Sequence, residues 1–114
     1  MSVHYLEIVS SEVDKQCSAL EAALGLSFGP PVADLGHAKV AEAPAGHRVG
    51  VRAPLADHEQ PTLRAYLEVE DIAAAVGAAE AEGAIIAYPP TTQGDTGTWA
   101  IYILDGVQIG LWQR

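Results

Sequence analysis

Two short segments of the sequence place a glutamate two residues after a tyrosine. They are Tyr5-Leu6-Glu7 and Tyr66-Leu67-Glu68, and Arg64 lies two residues before the second of them. A glutamate can transfer a proton, bind a cation or pair with an arginine, and an arginine can stabilise an oxyanion. Glu7, Glu68 and Arg64 are therefore the candidate catalytic residues.

The other reactive side chains show no catalytic spacing. The histidines have no metal-ligand pattern, although two of them, His37 and His47, lie on a predicted hairpin and could reach a site; the four are His4, His37, His47 and His58. Cys17 is a lone cysteine in a predicted helix and is typical of a small packing residue. The loop Gly94-Asp95-Thr96-Gly97 lacks the lysine of a nucleotide-binding loop, and it predicts either a flexible lip over a site or a plain hairpin connection.

The composition favours one small globular domain and excludes several classes of function. The chain has 114 residues, of which 49% are hydrophobic and 18% charged, and its formal net charge is −9. Only six residues are basic, so nucleic acid and anionic membrane surfaces are not expected as partners. With one cysteine, no visible secretory signal and no apolar run of about 18 residues, we expect a cytoplasmic protein.

The hydrophobic pattern predicts alternating strands and helices in two halves. In the first half, Ser11 is expected to cap a helix from Glu12 to Leu24 that ends at Gly25, and a β-hairpin follows. The strands expected there are Val3 to Ser10, His37 to Glu42 and His47 to Ala53.

A polar connector, Pro54 to Pro61, is expected to separate the halves, after which the pattern restarts. Asp71 is expected to cap a helix from Ile72 to about Glu82 that ends at Gly83. The strands expected in this half are Leu63 to Glu70, a short Ala84 to Tyr88 that stops at two prolines, Thr98 to Leu104, and Val107 to Gln113.

The two halves also resemble each other in amino-acid sequence. Each opens with Tyr-Leu-Glu, each helix ends in glycine, and each half closes with a glycine between apolar residues, in Val49-Gly50-Val51 and Ile109-Gly110-Leu111. Three correspondences in the same order predict two similar modules within one domain of residues 1–114. Module one covers about 1–53, the connector 54–61, and module two about 62–114.

With these features the sequence resembles the vicinal oxygen chelate superfamily, which includes glyoxalase I, extradiol dioxygenases and bleomycin-resistance proteins. The segments that carry the resemblance are Val69 to Val76, Glu82-Gly83-Ala84, and Tyr102 to Trp112. Members of the family usually have Asp-Pro-Asp-Gly-Asn before the last strand, where this chain has only Asp105-Gly106.

The resemblance implies an α+β fold in which two β-α-β-β(-β) modules form an open, U-shaped mixed sheet around a cavity, with the helices outside. Strand alternation then divides the side chains between the two faces. Those expected to face the helices are Leu6, Ile8, Ala65, Leu67, Val69, Ile109 and Leu111. Those expected to line the cavity and bind a ligand are Tyr5, Glu7, Arg64, Tyr66, Glu68, Gln108 and Trp112. A half-exposed, merely solvated face is the alternative.

The resemblance further implies a metal site, because enzymes of this family hold a divalent metal through His, Gln or Glu at four strand positions. Counting back from the helix starts and reading the closing strands places these positions at Tyr5, Gly50, Arg64 and Gly110. None of these is a usual ligand, and the guanidinium of Arg64 cannot coordinate a metal. No cofactor is therefore expected.

A register shifted by two residues would instead make Glu7 and Glu68 equivalent. Two carboxylates across one cavity could bind a divalent metal, although a pair with Arg64 is the favoured interpretation.

Three hypotheses about function follow. The favoured one is a metal-free homodimer, similar to bleomycin-resistance proteins, that binds a small aromatic or cationic molecule. The second is a lyase, isomerase or dioxygenase-type enzyme that uses Glu7 or Glu68 as base and Arg64 as oxyanion stabiliser. The third is a different dimeric ferredoxin-like barrel with a structural or regulatory role. The dimer is expected because an open sheet leaves apolar edges.

Overall fold

The computed structural model describes all 114 residues and confirms the predicted α+β class. It contains eight strands, two α-helices and two short 3-10 segments, at Ala33–Leu35 and Pro44–Gly46. The helices are α1 (Val13–Leu24) and α2 (Ile72–Ala81). The strands are β1 (Val3–Val9), β2 (Pro31–Val32), β3 (Ala38–Glu42), β4 (Arg48–Arg52), β5 (Thr62–Glu68), β6 (Ile85–Gln93), β7 (Gly97–Leu104) and β8 (Val107–Gln113).

The chain forms two compact units with the same internal topology. The module-one unit is Tyr5–Leu63, and the module-two unit joins Met1–His4 to Arg64–Arg114. Strand order is β1-β4-β3-β2 in the first and β5-β8-β7-β6 in the second. In both, the opening strand runs parallel to the last strand, and the remaining neighbours are antiparallel. The repeat in the sequence is therefore a repeat of topology. The curvature of the sheet around a cavity stays a prediction.

The two helices begin differently. Asp71 caps α2 as predicted, since its Oδ1 accepts a hydrogen bond of 3.0 Å from the Ala74 amide. The predicted cap of α1 by Ser11 is wrong: Glu12 is the N-cap residue, and its side chain makes no capping bond. The Ser10 hydroxyl accepts from the Glu12 amide instead, at 3.1 Å. Gly25 ends α1 in the left-handed conformation, with φ of 71°.

Helix α2 packs its apolar side on the sheet of the module-two unit. Ile72, Ala100 and Leu111 form the buried centre, and Val69 and Tyr102 pack against it. The predicted helix-facing positions of Val69 and Leu111 are thus confirmed. Neither helix has the length and apolar character that a membrane span requires.

Two strands differ from the prediction because prolines interrupt the pattern. β6 continues through Pro89 and Pro90 to Gln93, with register shifts against β7, whereas the prolines were expected to end it. β6 lies at the edge of its unit, where a proline needs no ladder partner for its missing N–H. The short strand β2, at Pro31–Val32, was not predicted.

The strand register decides between the two alignments of the modules. Glu7 lies opposite Gly50 in the β1–β4 ladder, and Tyr66 lies opposite Gly110 in the β5–β8 ladder. Glu7 and Tyr66 also precede their helices by the same number of residues. Glu7 is therefore equivalent to Tyr66, and the shifted register that matches Glu7 with Glu68 is wrong. The Tyr-Leu-Glu repeat is displaced by two residues in the structure.

Candidate functional site

In the module-one unit, a tyrosine ring fills the space at one of the metal positions that the resemblance implies. Tyr5 is 2% exposed, and its ring lies directly over Gly50. A Cβ on residue 50 would overlap the Tyr5 hydroxyl and approach its Cζ to 2.5 Å. A side chain at position 50 and the Tyr5 ring therefore exclude each other.

The module-two unit contains the same arrangement with different atoms. A Cβ on residue 110 would lie 2.5 Å from Cδ1 of Tyr66 and 2.8 Å from the Ala65 carbonyl oxygen. Such distances are far below van der Waals contact, so only glycine fits while Tyr66 keeps its place.

The residues at the four implied positions do not fit a metal. Two are glycines covered by tyrosine rings, one is Arg64, and Tyr5 is a poor ligand for divalent ions. In addition, no group of three or more His, Cys, Asp or Glu side chains lies close enough together to hold a metal ion.

Glu7 takes part in a buried cluster of charged residues in the module-one unit. Its Oε2 accepts from Nε of Arg52 at 2.8 Å. Arg52 also donates from Nη1 and Nη2 to the two carboxylate oxygens of Glu59, at 2.8 Å each. The side chains of Glu7 and Arg52 are 9% and 7% exposed, and that of Glu59 is 22% exposed. Hydrogen bonds to Glu59 and Glu7 raise the pKa of Arg52 further above its ordinary value, so the guanidinium stays charged.

Arg64 is buried, and it donates from Nε and Nη2 to Oε1 of Gln108, at 3.1 and 2.8 Å. The structure thus brings together two of the predicted ligand-binding residues. Gln108 itself is exposed. In the module-one unit, Arg48 and Tyr5 have the equivalent positions, and the Arg48 guanidinium lies over the Tyr5 ring at 5.7 Å.

Trp112 and Tyr66 form a buried aromatic pair in the module-two unit. Their ring centroids are 5.7 Å apart at an interplanar angle of 90°, and the His4 ring centroid lies 4.9 Å from that of Trp112. Trp112 Nε1 donates to the Thr96 carbonyl at 3.0 Å, so the loop Gly94 to Gly97 is fixed against this ring. The loop is a tight connection between β6 and β7, which fits the plain hairpin alternative.

Glu68 is half-buried at the edge of an open cavity of about 530 Å³ in the module-two unit. Arg114 pairs with its carboxylate at 2.9 Å, and the Ser2 hydroxyl donates to it at 3.3 Å. Glu68 is the one predicted site residue that lines this cavity.

The remaining candidates have peripheral places. His37 and His47 are exposed at the two ends of the β3–β4 hairpin. Cys17 is buried, and burial raises the pKa of its thiol, which supports a packing role.

Sequence reasoning missed Arg52 and Glu59. Arg52 had a signal, because it follows Gly50 by two residues and so shares its face of β4. Glu59 had none, because it lies in the connector, whose path does not follow from periodicity.

Solved structures show the same fold at low sequence identity. A hypothetical protein of Bacillus halodurans aligns with a TM-score of 0.76 at 12% identity, over 99% of this chain and 94% of that one. A methylmalonyl-CoA epimerase of Mycobacterium tuberculosis aligns with a TM-score of 0.71 at 17% identity, over 98% and 87%. Another methylmalonyl-CoA epimerase gives 0.68 at 16%, over 100% and 95%.

No family model and no curated protein matches the sequence. The likeness to solved structures concerns the fold alone, and methylmalonyl-CoA epimerase is a vicinal oxygen chelate protein. The chain therefore shares its fold with these methylmalonyl-CoA epimerase structures, as the resemblance to that superfamily implies.

Proposed function

We propose that the chain is a glyoxalase-like protein that binds a small molecule without the metal centre of the enzymes that share its fold. The observation that carries the proposal is the pair of tyrosines packed over Gly50 and Gly110. These rings occupy the space that ligating side chains at the two glycine positions would need. The aromatic and polar residues of the strands would then bind a small molecule directly and not through a metal ion.

The state of the two glutamates changes the kind of ligand that we expect. Glu7 accepts from Arg52, and Glu68 pairs with Arg114. Glu7 and Glu68 are the residues expected to neutralise a cationic ligand, but each already pairs with an arginine of the chain. An aromatic ligand that needs no carboxylate partner is therefore the better match.

The enzymatic alternative depends on a carboxylate that can act as a base. Glu68 favours it, since it lines an open cavity. Glu7 does not, because its carboxylate is held in a buried ion pair. The epimerase activity named for the structural neighbours is thus a secondary candidate, with Glu68 as base. Arg64, the expected oxyanion stabiliser, does not line this cavity and has no part in this candidate.

The proposal is tested by mixing the full chain with a set of small aromatic compounds and recording thermal shifts, followed by mass spectrometry of each compound recovered from the protein. We expect saturable binding, with every bound compound recovered unchanged. Conversion of a bound compound, abolished in Glu68→Gln and retained in the control Glu80→Gln, an exposed residue of α2 outside the cavity, would favour the enzyme. Absence of binding to any member of the set would contradict the proposal.

We also propose that the protein is a homodimer. The module-two unit ends in an edge strand, and exposed apolar side chains lie near it, among them Ile85, Leu104 and Val107 at 68%, 43% and 57% exposure. Light scattering after gel filtration should give twice the 11.9 kDa mass of the chain, and Ile85→Lys should shift it toward the monomer.

A further inference from the structure

The guanidinium of Arg52 is fixed in place from several sides. Its stem runs beside Gly36, where an added Cβ would lie 3.0 Å from Arg52 Cδ. Nε donates to Glu7, and Nη1 donates to the Ala53 carbonyl at 3.2 Å as well as to Glu59. Arg52 is 6% exposed as a whole. Its outer edge, Nη1 and Nη2, is therefore a preorganised fork that matches the two oxygens of one carboxylate.

The two carboxylates on Arg52 differ in how they are attached to the chain. Glu7 lies in the middle of β1, where pairing with β4 holds its backbone in place. Glu59 lies in the connector, between the exposed residues His58 and Gln60. The connector folds back through a turn in which the Glu59 amide donates to the Ala56 carbonyl and the Leu55 amide donates to Glu59 Oε1 at 2.7 Å.

Most residues of the connector around Glu59 are exposed, and an exposed turn is the kind of segment that opens at a local cost. Opening releases Glu59 from Nη1 and Nη2 while the sheet and the Glu7 pair remain intact. A segment with few buried contacts belongs to the part of a protein that opens most readily. Leu55, which is 67% exposed and lies beside Gly36, would then adjoin the vacated fork as an apolar surface.

From these contacts we infer that the outer edge of Arg52 binds the carboxylate of a small ligand, and that Glu59 holds this place until the ligand displaces it. The inference rests on the proposed small-molecule binding and specifies its ligand class, an apolar or aromatic carboxylate. In a chain of net charge −9, such a ligand needs a fixed cation, and Arg52 is one. Glu59 acts as an internal competitor. The apparent affinity for the ligand is the intrinsic affinity multiplied by the fraction of time that the connector is open.

The inference is tested by titrating the full chain with benzoate and, separately, with benzylamine. Glu59→Gln removes the competing charge, and Asp57→Asn is the matched control, since it makes the same charge change on an exposed residue of the connector. We expect Glu59→Gln to bind benzoate at least about tenfold more tightly than the original chain and Asp57→Asn to leave the affinity unchanged. Benzylamine should gain nothing from either substitution.

Nuclear magnetic resonance supplies a second readout that needs no variant. Saturating benzoate should move the Arg52 Nε–H signal and the Leu55 amide signal of the original chain, because the Leu55 amide loses Glu59 as its acceptor. Equal benzoate affinities in Glu59→Gln and Asp57→Asn, or benzoate binding with the Leu55 amide unmoved, would overturn the inference. If other aromatic compounds still bind, the proposed function survives that result; if nothing binds, both fail.

Discussion

The same two positions contain a buried ion pair in one module and an aromatic pair in the other. Glu7 and Arg52 in the module-one unit are equivalent to Tyr66 and Trp112 in the module-two unit, by strand register and by spacing from the two glycines. Glu7 accepts from Arg52 at 2.8 Å, whereas Tyr66 meets Trp112 edge-on at 5.7 Å. The equivalence extends to the neighbours, where Tyr5 with Arg48 corresponds to Arg64 with Gln108.

The comparison shows which part of a repeated fold is constrained and which is free. Both modules keep a glycine covered by a tyrosine, although the tyrosine comes from strand positions two residues apart. The paired side chains beside it are charged in the module-one unit and aromatic in the module-two unit. Close packing over the strand is thus what the modules share, and the chemistry of the side chains beside it is where they differ.

The glycines should give the largest effect. Gly50→Ala and Gly110→Ala should each lower the free energy of unfolding by about 3 kcal/mol, because a methyl group would overlap the tyrosine ring. Gly77→Ala in α2 is the control: nothing lies within 4 Å of that position, and the change should add about 0.5 to 1 kcal/mol. Urea denaturation measures all three. A small change for Gly50→Ala or Gly110→Ala, of the size measured for Gly77→Ala, would refute the packing described here.

The two glutamates of the repeated tripeptide should differ in their contribution to stability. Glu7→Gln should cost about 2 to 3 kcal/mol, since it weakens a buried pair and leaves Arg52 undercompensated. Glu68→Gln should cost less than about 1 kcal/mol, because its partner Arg114 has a side chain that is 70% exposed. Denaturant unfolding of both variants in the same buffer measures the two losses. A larger loss of stability for Glu68→Gln than for Glu7→Gln would contradict the comparison.

Fold and site were predictable from the sequence to different extents. The order of the elements could be predicted from strand alternation and from residues that begin or end helices, such as Asp71, Gly25 and Gly83, because these signals are local. The continuation of β6 through its prolines depended on its edge position, which is not local. The ion pair between Arg52 and Glu59 depended on a backward turn of the connector. The Tyr-Leu-Glu repeat shows the same limit. Aligning its identical residues matches Glu7 with Glu68, whereas the strand ladders match Glu7 with Tyr66.

The two helices offer a smaller contrast between the modules. Asp71→Ala should lower the free energy of unfolding by about 1 kcal/mol, because it removes the bond to the Ala74 amide. Glu12→Ala at the equivalent cap of α1 should change it by less than about 0.5 kcal/mol, because that side chain makes no capping bond. Thermal unfolding of the two variants compares them directly, and equal losses would contradict the cap assignment.

The smallest effect concerns Cys17, whose equivalent in α2 is Val76 by spacing from the helix starts. Burial raises the pKa of the Cys17 thiol above its ordinary value of 9.0, so folding favours the neutral form. That contribution is complete below pH 9 and is lost as the pH rises through the folded value. Cys17→Val should therefore fold normally and lose less stability than the original chain as the pH rises above 9. Rapid alkylation of native Cys17 at pH 8 would show that it is not buried.

Metal content tests the central claim most directly, because the claim is that tyrosine rings over Gly50 and Gly110 have replaced the metal ligands of this fold. The protein should be purified without chelator, analysed by plasma mass spectrometry, and melted with added Ni, Zn, Mn, Fe and Mg. The account predicts substoichiometric metal and no shift in melting temperature with any ion. One tightly bound metal per chain, with a melting temperature that rises on its addition, would contradict it.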